Sequence, residues 1–201
     1  MMKKIVFATG NSSKAKRFSE GLLKKNIEVL SLKDLEIDLN IQENGNNAID
    51  NALIKARACF EKTSMPCIGM DDTLYLENVP IKEQPGLFVR RVNGKNLTDE
   101  EMLKHYIGLV KKYGVDGKLF AKWIYGLAVI DQNGNESTYT WEKNNFYMVD
   151  SVSKKINPGY PLHSISKYNG IDKFFTETSD EELETVKYNE GHVVDFICEH
   201  V

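Results

Sequence analysis

The feature that most constrains the fold lies at the start of the chain. Ile5-Val6-Phe7-Ala8 is a short apolar run that ends in Thr9-Gly10-Asn11, and an amphipathic stretch follows at once. A buried strand that passes through a glycine turn into a helix is the opening unit of an α/β sheet. From Ser12 to Lys24 the apolar residues Ala15, Phe18, Leu22 and Leu23 fall at helical spacing and predict one helix. Ile27 to Leu30 reads as a second strand. Ala48 to Phe60 reads as a helix with Ala48, Ala52, Leu53, Ala56 and Phe60 as its apolar stripe. Cys67-Ile68-Gly69-Met70 reads as a buried strand that delivers Asp71 and Asp72 at its C-terminal end.

Thr98 to Glu101 has the form of a capping box and predicts a helix to about Tyr113. Phe120 to Ile130 is rich in aromatic and β-branched residues, and Glu136 to Tyr147 alternates. Asn133-Gly134 between them signals a hairpin. A second capping box, Ser179 to Glu182, opens a helix, and Val193, Val194, Phe196 and Ile197 lie on a last short one. Alternating strands and helices imply an α/β fold with a mixed sheet. The hairpin is expected to extend that sheet into a second lobe, with a ligand cleft between lobes. At 201 residues and 41% hydrophobic, the chain fits one domain, 1–201, with two lobes.

A net charge of -3 argues against attraction to a nucleic-acid polymer or an anionic membrane. It leaves room for a small anion held by local lysines. The cysteines, Cys59, Cys67 and Cys198, are odd in number and form no CxxC pair, so neither a disulfide framework nor a structural zinc is expected. The apolar character after Met1-Met2-Lys3-Lys4 is too short for a signal segment, and no run approaches the ~20 residues of a membrane span. The expected setting is a reducing cytoplasm.

Four constellations could carry chemistry. In Thr9-Gly10-Asn11-Ser12-Ser13-Lys14 a helix begins beside a glycine turn. Its first N–H groups, the side chains of Thr9, Asn11 and Ser12 or Ser13, and Lys14 suit an anion. A plain capped helix with a solvated lysine fits the same letters, and the stretch is not a Walker A loop. Glu43 precedes Asn51 and Lys55, which share a helix face one turn apart. On spacing alone these read as a solvated lysine and a loop glutamate. Asp71-Asp72-Thr73 sets two adjacent carboxylates after a buried strand, which calls for a cation or a partner. A hard divalent ion shared with substrate phosphates is the usual solution, and a turn-capping Asp pair is the alternative. Gln84 to Arg91 makes a Pro-Gly turn before two arginines. It reads as a surface turn or as a phosphate-side or dimer-side contact.

These pieces occur in a known order: Thr9-Gly10-Asn11-x-x-Lys14, Glu43-Asn44-Gly45, Asn51-Ala52-x-x-Lys55-Ala56, Asp71-Asp72-Thr73, then Pro85-Gly86 with Arg91. Up to about Gly94 the chain resembles the inosine triphosphate pyrophosphatase family, whose members hydrolyse ITP, dITP and XTP to the monophosphate and pyrophosphate. The resemblance implies an elongated α/β body, its central mixed sheet flanked by helices, with two lobes around a substrate cleft. It also implies Mg²⁺ and a homodimer. Thr9, Asn11 and Lys14 match the family's phosphate-binding loop, and Lys55 a lysine at the triphosphate. Glu43 and Asp72 match its metal-linked acids, Asp72 also its proton acceptor, and Thr73 a substrate-contacting Ser or Thr. Beside them, Asp71 would be a second metal ligand or a partner of metal-bound water.

The second half departs from that pattern. The family's Gly-Phe-Gly-Tyr-Asp-Pro segment, which helps grip the nucleoside, meets only Asn157-Pro158-Gly159-Tyr160-Pro161-Leu162 here. Its Ser-His-Arg triplet, which reads the purine carbonyl, falls on Lys187-Tyr188-Asn189-Glu190-Gly191-His192. Lys173 and Lys187 are the candidates for the lysine before that triplet. Tyr160, Trp123, Trp141 and Phe146 are candidates for stacking on a base, and His163 and His192 lie in the divergent segments. The expectation is a retained reaction with a changed or relaxed base preference. A non-catalytic nucleotide sensor is the rival reading, and retention of Glu43 and Asp72 argues against it.

Overall fold

The computed structural model describes residues 2–186 and 189–201. Its main sheet has six strands in the order β2-β1-β3-β6-β7-β8. β1 (Lys3–Phe7) pairs in parallel with β2 (Ile27–Ser31), Ile5 opposite Val29, and with β3 (Cys67–Leu76), Val6 opposite Cys67. β6 (Leu119–Ile130) and β7 (Glu136–Met148) follow, and β8 (Ser166–Tyr168) runs antiparallel to β7. The sheet is therefore mixed, parallel where helices connect β1, β2 and β3 and antiparallel between β7 and β8.

The helix expected from Ser12 to Lys24 is two helices, α1 (Ser12–Arg17) and α2 (Ser19–Lys24), broken at Phe18. The Ser19 hydroxyl donates to the Ala15 carbonyl at 2.7 Å, and such back-bonding bends helices. The break buries Phe18 and Leu22 and leaves Leu23 exposed. α3 (Ala48–Thr63) is capped by Asn47, whose side chain accepts from the Asp50 N–H at 2.9 Å. Two glycines bring α3 close to the sheet. A Cβ at Gly69 would lie 1.9 Å from the Ala52 carbonyl oxygen, and one at Gly126 2.5 Å from the Ala48 carbonyl carbon.

Asp71 and Asp72 lie inside β3 rather than at its end, because the strand continues to Leu76. The Gln84 side chain supports that continuation. It accepts from the Leu76 N–H at 2.9 Å and donates to the Leu76 carbonyl at 2.6 Å. A short ladder, β4 (Arg91–Val92) with β5 (Lys95–Asn96), precedes α4 (Asp99–Tyr113), whose capping box has both bonds in place. The connection of β6 to β7 is the loop 131–135. There the Asp131 carboxylate accepts from the Asn133 and Asn135 N–H groups, each at 2.8 Å, and Gly134 takes φ +83°. α5 (Asp180–Thr185) carries the second capping box, and α6 (Gly191–Glu199) follows.

The chain forms two compact units: Met1–Asp72, Tyr125–Trp141 and Glu190–Val201; and Thr73–Ile124 with Glu142–Asn189. In the first, Val6, Ala8, Leu32, Cys59 and Cys67 pack together, and Ala52, Ala56, Ala128 and Ile130 form a second cluster. The second unit buries Leu74, Tyr106, Leu119, Phe146, Met148 and Ile165. The three cysteines are free thiols. Among the described residues no helix is long and apolar enough to cross a membrane.

Candidate active site

The Thr9-Gly10-Asn11 turn is held by its own polar groups. The Thr9 Oγ1 accepts from the Asn11 N–H at 3.1 Å, and the Asn11 carbonyl accepts from the Lys14 N–H at 3.0 Å as α1 begins. The hydroxyls of Ser12 and Ser13 lie outside the described side chains. α1 has only six residues, so its dipole is small and the positive charge here comes from Lys14. Lys14 is not solvated. Its side chain is 14% exposed, its Nζ pairs with the Asp72 carboxylate, and the Asp71 Oδ1 lies 3.9 Å away.

α3 supplies the other half. The approach permitted by Gly69 sets Lys55 against β3, where its Nζ lies 3.1 Å from the Asp71 Oδ1 and 3.4 Å from the Met70 carbonyl. The same Nζ lies 2.9 Å from the Glu43 Oε2. Asn51, one turn earlier, donates to the Asp71 Oδ2 at 2.7 Å and accepts from the Gly45 N–H at 2.8 Å, which ties the Glu43 loop to the carboxylate pair. Sequence spacing left Glu43 and Lys55 as a loop acid and a surface lysine, and Asn51 had no role of its own. The fold joins all three to Asp71.

Charge explains the interleaving. Glu43, Asp71 and Asp72 bring three negative charges, and Lys14 and Lys55 bring two positive ones into partly buried space. Burial pushes the Asp72 carboxyl up. The Lys14 ammonium outweighs it, helped at longer range by Arg17 and Lys55, and the group is held below the usual carboxylate range. Among the described residues, no three His, Cys, Asp or Glu side chains are gathered so as to hold a metal by themselves. Mg²⁺ does not need that, since it binds through one or two carboxylates while phosphates and water supply the rest. The hard oxygen donors of Glu43, Asp71 and Asp72 fit an ion shared with a phosphorylated substrate.

Thr73 and Tyr160 belong to the second unit. Thr73 is buried, and its hydroxyl donates to the Ile124 carbonyl at 3.3 Å. The Tyr160 ring stacks on His163 at 4.8 Å, and the Asn157 amide lies 3.2 Å from the His163 Nδ1. Lys173 pairs with Glu182. Lys187, the other candidate for that role, and Tyr188 lie outside the described residues. Arg90 pairs with Asp99 at 2.7 Å, and the Arg91 guanidinium lies 4.5 Å from the Phe88 ring centroid. In the first unit His192 meets the Tyr139 hydroxyl at 3.2 Å, and Trp141 stacks on Tyr125 at 4.9 Å.

Sequence reasoning passed over Arg17. Its Nε lies 2.8 Å from the Glu190 Oε2, a second guanidinium nitrogen pairs with the Glu190 Oε1, and the plane sits 4.4 Å from the Tyr125 ring centroid. Position i+3 from Lys14 is the only local hint. Glu190 is 173 residues away and carries none.

Residues 5–144 match the model of the Ham1 family, well beyond the Gly94 limit of the motif resemblance. A dITP/XTP pyrophosphatase of Caldanaerobacter subterraneus is 30% identical over 190 residues, spanning 93% of this chain and 90% of that protein. One from Leptospira interrogans is 29% identical over 137 residues, 68% of this chain and 67% of that protein. The solved Staphylococcus aureus Ham1 protein superimposes with TM-score 0.72 at 18% identity, covering 99% of this chain and all of that one. A Coxiella burnetii HAM1 protein gives 0.71 at 22% identity, covering 98% of each chain. These two structural likenesses bear on the fold alone.

Proposed function

The chain belongs to the Ham1 family, that of inosine triphosphate pyrophosphatase, and from this premise we propose that it is a Mg²⁺-dependent enzyme that cleaves a nucleoside triphosphate between its α and β phosphates. The products are the monophosphate and pyrophosphate. The observation that carries the reading is the network in which Lys14 and Lys55 alternate with Glu43, Asp71 and Asp72. A triphosphate offers these lysines a denser set of negative oxygens than the carboxylates do. Lys14 and Lys55 bind that chain, and the Thr9-Asn11 turn orients it.

Hydrolysis then needs a water in line with the scissile bond and a group to take its proton. Asp72 accepts the proton, because Lys14 is drawn to phosphate and leaves the carboxylate a stronger base. Glu43, Asp71 and Asp72 would hold Mg²⁺, which when bound neutralises charge on the leaving pyrophosphate. Asn51 keeps Asp71 facing the site. The two relatives described above are named for dITP and XTP, and this chain is proposed to act on a deaminated purine triphosphate or a related modified nucleotide. The divergence at Asn157 to Leu162 and at Lys187 to His192 favours a base preference changed or relaxed from theirs. The homodimer remains part of this proposal and is checked by light scattering.

The test is pyrophosphate release by the purified chain with Mg²⁺ against dITP, ITP, XTP and the common triphosphates. Asp72→Asn is expected to lower kcat by about 10²-fold or more while nucleotide still binds. Release of orthophosphate in place of pyrophosphate, or turnover that survives Asp72→Asn, would overturn the assignment. Preference for ITP and XTP by orders of magnitude would refute the changed base preference alone.

A further inference from the structure

Lys14 stands on a helix of six residues, too short to hold itself in place. Something outside α1 must fix it, and among the described side chains of that helix Arg17, one turn after Lys14 on the same face, reaches a distant part of the chain. Arg17 grips Glu190 with two guanidinium nitrogens, and the Trp141 indole N–H donates to the Glu190 Oε1 at 3.0 Å. The guanidinium lies over the Tyr125 ring, which is itself stacked on Trp141. Both ionic side chains are mostly covered, Arg17 17% and Glu190 16% exposed. Glu190 stands at the N-cap of α6, and its side chain makes no cap hydrogen bond there. Its carboxylate meets the Arg17 guanidinium and the Trp141 indole.

We infer that the Arg17–Glu190–Trp141 cluster is the positioning device for the phosphate-binding Lys14, so that the N-cap residue of α6 sets the affinity of the cradle on α1. The assignment rests on the pyrophosphatase reading for Lys14. Arg17 does not serve as a third phosphate ligand. It would have to leave a mostly covered, bidentate partner, and the carboxylate left behind would be stranded.

The experiment compares wild type with Glu190→Gln, which keeps the shape and an acceptor for Trp141, and with Arg17→Lys, which keeps the charge but loses the fork. Tyr139→Phe, which removes the His192 contact on the same helix, is the control. Each protein is assayed for KM and kcat with a triphosphate substrate. Each is also titrated calorimetrically with inorganic tripolyphosphate and Mg²⁺, a readout that needs no turnover. Glu190→Gln and Arg17→Lys are expected to raise KM and the tripolyphosphate Kd about tenfold, with kcat within about threefold of wild type. Tyr139→Phe should match wild type in both.

Unchanged KM and Kd in the two clamp variants would overturn the inference even if they melt earlier. An equal loss in Tyr139→Phe would overturn it too, since any disturbance of α6 would then suffice. A wild type that binds tripolyphosphate without turnover would refute the catalytic reading and leave the clamp intact if Glu190→Gln still weakens binding. If wild type neither binds nor turns over, both fall. Should Glu190→Gln not fold, Trp141→Phe tests the same node by removing one donor and keeping the ring.

Discussion

Asp72 and Lys14 face each other where substrate is proposed to sit, and their pairing sets how the protein responds to acid. In the folded chain the Asp72 carboxyl titrates below its ordinary value, so the unfolded chain binds more protons as pH falls. The stability that this pair contributes is fully present above about pH 4 and is lost as pH drops through the folded value. Wild type and Asp72→Asn should therefore differ most in denaturant midpoint near neutrality, and the gap should close below about pH 4. A gap that is flat with pH would show that the pair has no such linkage. At this scale the members of the charged network were readable: Lys14, Glu43, Lys55, Asp71 and Asp72 stood in motif order, and the fold brings them together. Their partners were not. A lysine's partner depends on which strand the fold sets beside it, and nothing in Asn51 or Arg17 as a letter says that one ties Asp71 and the other Glu190.

Helix α3 carries Asn51 and Lys55, and its distance from the sheet decides whether they reach Asp71. Gly69 lets the Ala52 carbonyl approach to where a methyl group would sit. Gly69→Ala should push α3 away, cost about 3 kcal/mol in unfolding free energy and raise KM through Lys55. Gly108 on α4 is the contrast, since nothing lies within 4 Å of a Cβ there. Gly108→Ala should be neutral or stabilise by about 0.5–1 kcal/mol. Chemical denaturation with steady-state kinetics checks both, and equal effects at the two glycines would contradict the close-approach account. Capping boxes at Thr98 and Ser179 were legible because their two bonds close within four residues. The break at Phe18 and the run of β3 to Leu76 were not. The first turns on the Ser19 hydroxyl choosing Ala15, the second on Gln84 meeting Leu76 across a loop.

For the molecule as a whole, binding to the folded chain alone must appear as stability. Mg²⁺ with a non-hydrolysable triphosphate at about a hundred times its Kd should stabilise by about 2.7 kcal/mol, seen as a rise in Tm. EDTA should remove most of that rise, and a rise indifferent to EDTA would count against Mg²⁺. Two kinds of information meet in this response. The strand, glycine turn and helix at the start, the apolar stripe of α3, the capped helices and the order of the acidic and basic motifs were set by the sequence itself, because hydrophobic period and capping act between near neighbours. The tertiary structure alone decided that Lys55 bridges Glu43 and Asp71, that Asn51 holds Asp71, and that Arg17 finds Glu190 at the far end of the chain. Ion pairs are worth little in water and become specific only when folding brings remote charges together and covers them.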